Sequence, residues 1–292
     1  MLRLITLFVC LAITSSTLFS QPFWVETPGP TLGTVTLATN SRGMVFAGTA
    51  SSSIFRTYNW GASWERLGTG LPNGGFDKPV RDISIADNDE IYIVQLGNGV
   101  YRSTDDGSTW NAVNNGLTNF GNIVTVHAKA LPNGMTQLYI GSDGTTAKSF
   151  LSDNSGATWT EIPLPGVQKT ALYETFISPN SEKLIVSIGY NKGLFRTSNR
   201  GLIWRRIDTD SNGGGLGGSE SDDNYQTIRA NKQGHIFVGR HALEASTTFQ
   251  NACVMRSTNN GETYQYVTAG WDPLTPETRT NNRVTVSYTH LR

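Results

Sequence analysis

The sequence predicts an all-β fold, a β-propeller built from four-stranded antiparallel blades. Two observations predict it. An eight-residue signature recurs five times at blade-sized intervals, and the short strands between its copies never show a helical period. The copies are residues 57–64 (TYNWGASW), 103–110 (STDDGSTW), 152–159 (SDNSGATW), 197–204 (TSNRGLIW) and 257–264 (STNNGETY). Their glycines, Gly61, Gly107, Gly156, Gly201 and Gly261, are 46, 49, 45 and 60 residues apart.

Each position of the signature has a physical reason. Asn59, Asp105, Asn154, Asn199 and Asn259 can turn their side chains back to accept backbone N–H groups of their own loop. The leading Ser or Thr, as at Ser103, can add a second local hydrogen bond. Glycine supplies the positive φ that closes a tight hairpin. The aromatic at the end (Trp64, Trp110, Trp159, Trp204 or Tyr264) begins the outgoing strand and buries its ring between neighbouring sheets. In the fourth copy Ile203 replaces the hydroxyl residue, so that turn is expected to be less well braced.

The intervening residues supply the strands in order. Blade one (31–67) reads as strands at 35–37, 44–46, 54–56 and 64–67, and blade two (80–113) at 81–86, 91–96, 99–103 and 110–113. Blade three (122–162) reads at 123–126, 138–140, 149–151 and 159–162. Blade four (170–207) reads at 171–177, 184–188, 194–196 and 204–207, and blade five (225–267) at 225–228, 235–238, 253–256 and 264–267. Residues 23–28 (FWVETP) look like an outer strand, and 281–292 like the first strand of an incomplete blade. The expectation is a part of a ring of six to eight blades, with a small five-bladed ring closed by the two end strands as the alternative.

Residues 1–20 carry Arg3 and then an apolar stretch at 4–13 (LITLFVCLAI), too short to span a bilayer. That layout is a secretory signal. It makes 21–292 the propeller domain and places it outside the cell or in the cell envelope, without membrane insertion. Cys10 leaves with the signal, so Cys253 remains alone and no internal disulfide is expected. Lys and Arg total 23 against 23 Asp and Glu, and charged residues are only 16% of the chain, which argues against a nucleic-acid partner.

The five signatures resemble the Asp-box, or BNR, repeat of sialidase-like, sortilin-like and related β-propellers, and 103–110 fits that pattern at every defined position. The resemblance implies a hairpin between the third and fourth strands of each blade, at the rim away from the ligand face. The signatures are therefore expected to be turn staples, with no metal site and no cofactor. In sialidases the resemblance would further imply an Arg-Ile-Pro motif and an arginine trio. No Arg-x-Pro occurs here, and blade one offers only Arg42, Arg56 and Arg66, in turn and outer positions.

Loops joining strands two and three, and loops between blades, share the face opposite the hairpins. The two longest insertions, 208–224 and 241–252, fall in that set. Charged and aromatic residues at the starts of the inner strands would line the same mouth: Arg81 and Asp82, Tyr173 and Glu174, Tyr225 and Arg229, with Arg240 and His241 following a second strand. Such a set can hold a sugar or a peptide by stacking and charged hydrogen bonds. Arg81 and Asp82 read equally well as a structural pair. No catalytic residue is singled out. The expected function is a monomeric, non-catalytic module that binds a protein or polysaccharide, similar to the photosystem II assembly propellers. The alternative is an exo-sialidase-like or xyloglucanase-like glycoside hydrolase.

Overall fold

The computed structural model describes residues 29–30, 33–72, 78–118, 120–143, 148–163, 172–177, 185–189, 193–207, 224–231, 233–241 and 253–267. They form five four-stranded antiparallel sheets. Blade one holds β1 (Thr34–Thr39), β2 (Val45–Thr49), β3 (Ile54–Thr57) and β4 (Glu65–Leu67). Blade two holds β5 (Val80–Ile85), β6 (Ile91–Gln95), β7 (Gly99–Ser103) and β8 (Asn111–Ala112). Blade three follows with β9 (Ile123–Ala130), β10 (Thr136–Ser142), β11 (Ser149–Ser152) and β12 (Thr160–Ile162). Blade four has β13 (Leu172–Ile177), β14 (Ile185–Gly189), β15 (Gly193–Thr197) and β16 (Arg205–Arg206). Blade five has β17 (Asn224–Ala230), β18 (Ile236–His241), β19 (Cys253–Ser257) and β20 (Gln265–Tyr266). A single 3-10 turn, Phe120–Asn122, interrupts the all-β pattern among the described residues. The expected signal at 1–20, the outer strand at 23–28 and the incomplete blade at 281–292 lie outside the described residues.

The blades stand side by side through their innermost strands, β1 against β5, β5 against β9, β9 against β13 and β13 against β17. Among the described residues no comparable packing joins β17 to β1. The core is therefore a series of junctions rather than one centre. Between blades one and two, Phe46, Ile54 and Leu67 meet Ile83, Ile93, Tyr101 and Trp110. Between blades two and three, Tyr92, Val94 and Val100 meet Val126, Ile140, Phe150 and Trp159. Strand alternation explains this: successive side chains point to opposite faces, and each face belongs to a different junction.

Two local features depart from the sequence reading. Every innermost strand carries a bulge at the same place, between Thr34 and Thr36, Val80 and Asp82, Ile123 and Thr125, Leu172 and Glu174, and Tyr225 and Thr227. A bulge leaves one residue unpaired and sharpens the local twist, so five of them aim corresponding positions the same way. The outermost strands also start one residue later than expected. The aromatic of each hairpin sits just ahead of the strand, as Trp64 does before β4 and Trp159 before β12.

Candidate functional site

The hairpins close by one repeated hydrogen-bond pattern. In blade two the Ser103 hydroxyl donates to Asp105 Oδ1 at 2.8 Å and accepts from Gly107 N at 2.8 Å. Asp105 in turn accepts from Thr109 N at 2.8 Å and from the Thr109 hydroxyl at 2.6 Å. These bonds hold the exposed Asp105 carboxyl below the usual carboxylate range, the Thr109 hydroxyl contributing most. With Asn in the acidic slot the amide supplies both roles: Asn154 accepts from Thr158 N at 2.9 Å and donates to the Thr158 hydroxyl at 2.8 Å. The copies at Asn59 and Asn259 do the same. At Asn199 the backbone bond from Ile203 is kept at 2.9 Å, while Ile203 offers no hydroxyl to the amide.

Glycine is not the only residue with positive φ in these turns. The residue before it is left-handed too: Trp60, Asp106, Ser155, Arg200 and Asn260 have φ between 58° and 63°. Asp and Asn tolerate that region far better than Trp. At Asp106, Arg200 and Asn260 the left-handed residue also meets the preceding blade. Arg56 Nη1 donates to the Asp106 carbonyl at 2.7 Å, and Arg196 Nε to the Asn260 carbonyl at 2.8 Å. The sequence carried a signal for this: arginine precedes the hairpin's Ser or Thr in four copies (Arg56, Arg102, Arg196, Arg256), while the third has Leu151.

A polar cluster fills the space behind the hairpins between blades two and three. Glu90 accepts from the Tyr92 hydroxyl and the Thr136 hydroxyl, both at 2.6 Å, and pairs with Arg102. Burial works against the Glu90 carboxylate, but the bonds from Thr136, Tyr92 and Arg102 outweigh it and hold its pKa below the ordinary value. Burial, then the bond to Glu90, pushes the Tyr92 phenol up, so it stays a donor.

The opposite rim is the face on which ligand contacts were expected. Its described loops are tied to one another. Ser52 Oγ donates to the Lys78 carbonyl at 2.6 Å, and Lys78 Nζ to Asn98 Oδ1 at 3.1 Å. Gly97 N reaches the Gly121 carbonyl at 2.8 Å, and Asp143 N the Asn122 carbonyl at 3.0 Å. Arg81 is the bulge residue of β5; it is exposed and has no bonded partner among the described residues. Asp82 is partly shielded and accepts from Ile83 N at 2.9 Å, Val126 N at 2.9 Å and the Thr125 hydroxyl at 3.1 Å. Ala128 N donates to Ser84 Oγ at 2.9 Å beside it. Side chains of β5 thus stitch the blade to β9: Asp82 Oδ2 takes both inter-blade bonds, while Oδ1 accepts from the next residue of its own strand.

Burial raises the Asp82 pKa. The Val126 N–H and the charge of Arg229 oppose the shift without overcoming it. Arg229, on β17, lies close enough to feel that carboxylate across three blades; burial lowers its pKa and Asp82 opposes the change. The Arg229 side chain still reaches solvent, so protein surrounds this charge without sealing it off. Backbone register puts Tyr173 and Glu174 of blade four at the positions of Arg81 and Asp82, and pairs Tyr225 with Arg240 and Asn224 with His241. The side chains of Tyr173, Glu174, Tyr225, Arg240 and His241 lie outside the described residues, as do loops 208–223 and 242–252. The charges of Asp82 and Arg229 thus influence each other, while Arg81 is left to solvent. Among the described residues no group of three His, Cys, Asp or Glu side chains could hold a metal ion, and no helix is long and apolar enough to cross a membrane.

No family model and no curated protein matches the sequence. Among solved structures, a GH74 enzyme from Niastella koreensis is similar with a TM-score of 0.57 at 18% identity, over 80% of this chain and 38% of that one. A GH74 xyloglucanase from Xanthomonas campestris gives 0.58 at 14% identity, over 81% of this chain and 38% of that one. YCF48 bound to D1 peptide gives 0.50 at 15% identity, over 73% of this chain and 63% of that one. At such identities the likeness shows the fold, and the class it defines is the β-propeller. The chain spans 38% of the length of the two GH74 proteins.

Proposed function

We propose that this chain is an exported propeller of the Asp-box type that binds a protein or glycan, without chemistry, through the rim opposite its hairpins. The observation that carries the reading is the state of Asp82. A general acid or base must present a carboxyl oxygen to the reacting group, whereas Asp82 turns Oδ2 to the Thr125 hydroxyl and Val126 N of the next blade and Oδ1 to Ile83 N, which supports a structural role for it. Arg81 beside it is exposed, and an unpaired guanidinium suits a carboxylate or hydroxyl-rich partner. The five closed hairpins support the Asp-box assignment, and the likeness to YCF48 bound to D1 peptide supports a polypeptide ligand. The signal-like residues 1–20 support export.

A second reading, a glycoside hydrolase acting on β-glucans, is favoured by the likeness to the GH74 xyloglucanase. One experiment separates them. The secreted chain is probed on a glycan array and in peptide pull-downs, and in parallel incubated with xyloglucan and aryl-sialosides. Binding that weakens in Arg81→Ala with no sugar release supports the module. Sugar release abolished by replacing one carboxylate on the loop rim supports the hydrolase and ends the first reading.

A further inference from the structure

At the rim opposite the hairpins, the last residue of the second strand is polar and buried in each of the first three blades. Thr49 and Gln95 are 0% exposed and Ser142 is 4% exposed. Register makes them equivalents, paired with Thr34, Val80 and Ile123 beside the bulges. Thr49 and Ser142 spend their hydroxyls on their own loops. Thr49 Oγ1 donates to the Ser53 carbonyl at 3.0 Å and accepts from Ser53 N at 3.2 Å. Ser142 Oγ donates to the Lys148 carbonyl at 3.2 Å and accepts from Lys148 N at 2.7 Å. Gln95 departs from this pattern. Its Oε1 accepts from Asn98 Nδ2 at 3.0 Å, while its Nε2 is buried and donates to no described residue.

That orphan follows from one cation. Lys78, half-buried on the same rim, donates from Nζ to Asn98 Oδ1 at 3.1 Å, the one bond its ammonium makes among the described residues. An ammonium can only donate, so Asn98 must turn its oxygen to Lys78 and its Nδ2 to Gln95, and Gln95 must answer with Oε1. The remaining donor is sealed in, where an unmade bond costs its full desolvation. The backbone offers no relief. Gly97 N is bonded to the Gly121 carbonyl at 2.8 Å, Asn98 N to the Gln95 carbonyl at 3.0 Å, and the Asn98 carbonyl accepts from Asn114 Nδ2 at 3.1 Å. Relief has to come from the two amides and the lysine.

An anion at the rim supplies it. Once Lys78 Nζ turns to an anion, both amides can turn over: Gln95 Nε2 donates to Asn98 Oδ1, and Asn98 Nδ2 faces outward beside the ammonium. What stays buried without a partner is then an amide oxygen, which interiors tolerate more often than an unpaired N–H. One positive charge and two converging donors match the two oxygens of a carboxylate. We propose that Lys78, Asn98 and Gln95 form a carboxylate-capturing relay, with Lys78 parked on Asn98 until the ligand arrives. Exposed Arg81, three residues along, adds a second positive charge to the approach. The proposal rests on the reading of this rim as the binding face. It narrows the ligand to one bearing a carboxylate, from an acidic side chain of a polypeptide or a uronic acid of a polysaccharide.

The test titrates the isotope-labelled secreted chain, at fixed ionic strength, with acetylated tetraglutamate and with a glucuronate tetrasaccharide. Each is compared with its neutral counterpart, tetraglutamine or a glucose tetrasaccharide, and followed by nuclear magnetic resonance. At least one acidic probe should bind about tenfold or more tighter than its counterpart and shift the side-chain amide signals of both Asn98 and Gln95. The probe that does so names the source. Lys78→Met keeps the apolar stem and should lose that preference. Asn98→Asp gives Lys78 a permanent anion and Gln95 Nε2 an acceptor, so it should melt no lower than the wild type and yet bind the acidic probe about tenfold or more weakly. Equal affinities for acidic and neutral probes, amide signals that stay in place, a preference that survives either substitution, or a lower melting point in Asn98→Asp overturns the proposal. Neutral-probe binding that weakens in Arg81→Ala would leave the wider binding reading standing through that failure. Sugar release would end the wider reading, and the carboxylate preference would still be judged by Lys78→Met.

Discussion

Replacing Gly107 by alanine isolates the packing role of the hairpins. Gly107 is at φ 80°, and a Cβ there would lie 2.7 Å from Leu67 Cδ1, 3.3 Å from Trp110 Cζ2 and 3.4 Å from Phe46 Cε1. Those side chains are 6%, 3% and 0% exposed, in the junction between blades one and two, so they have little room to retreat. Left-handed alanine costs about 1–2 kcal/mol, and overpacking a filled core about 1–3 kcal/mol. The stiffer unfolded chain returns about 0.4–1 kcal/mol. The net loss is about 3 kcal/mol, or a fall of about 6–10 °C in Tm for a chain of this size. Gly43 supplies the control: its φ is also 80°, and a Cβ there meets nothing within 4 Å. Gly43→Ala should therefore cost only the backbone part, about 1 kcal/mol. Thermal melting of both variants followed by circular dichroism is the assay. Equal shifts would refute the claim that the hairpin glycine is a junction contact as well as a turn residue.

Three further outcomes follow from the same geometry. Ile203→Thr should raise stability by about 0.5 kcal/mol, because Asn199 gains the hydroxyl partner its counterparts have and an apolar side chain 72% exposed is removed; chemical denaturation reads it. Asp82→Ala should cost about 1–3 kcal/mol, since Val126 N and the Thr125 hydroxyl lose their acceptor, and Asp82→Asn should cost less because an acceptor remains and a buried charge is removed. Melting at neutral pH ranks the two, and the reverse order would contradict the inter-blade role. On acidification the groups divide by sign. Asp105 and Glu90 have folded pKa values below their ordinary ones, so the stability they add above the ordinary value disappears as pH falls through the folded value. Asp82 is raised, so protonating it favours the folded state over the interval between its ordinary and folded values. Stability curves should accordingly lose part of their acid slope in Asp105→Asn, and a variant as acid-sensitive as the wild type would speak against the hairpin bonds as the cause.

The hairpins were legible because each is closed by residues within eight positions of one another. Thr57, Asn59 and Gly61 need no distant partner to form their bonds, so spacing and residue type sufficed. The strands were legible for the same reason, although their ends moved by one to several residues, as with β9, which runs on to Ala130. The bulges were not. Nothing in Val80-Arg81-Asp82 marks the middle residue as unpaired, because a bulge is a property of two strands in register. The left-handed Trp60 was missed too, since its residue type argues against a conformation that the turn imposes.

At the mouth, the sequence gathered Arg81, Asp82 and Arg229 only as polar residues near strand starts. The choice between ligand contact and structural pair depended on what stood opposite. Asp82 meets Val126, 44 residues away, and Arg229 approaches from three blades on. The amino-acid order by itself determined the repeat, its turns and the strand alternation, because these rest on short-range geometry. Only the assembled blades decided which faces are sealed and which carboxylate is engaged, because burial depends on neighbours that the chain brings from far along its length.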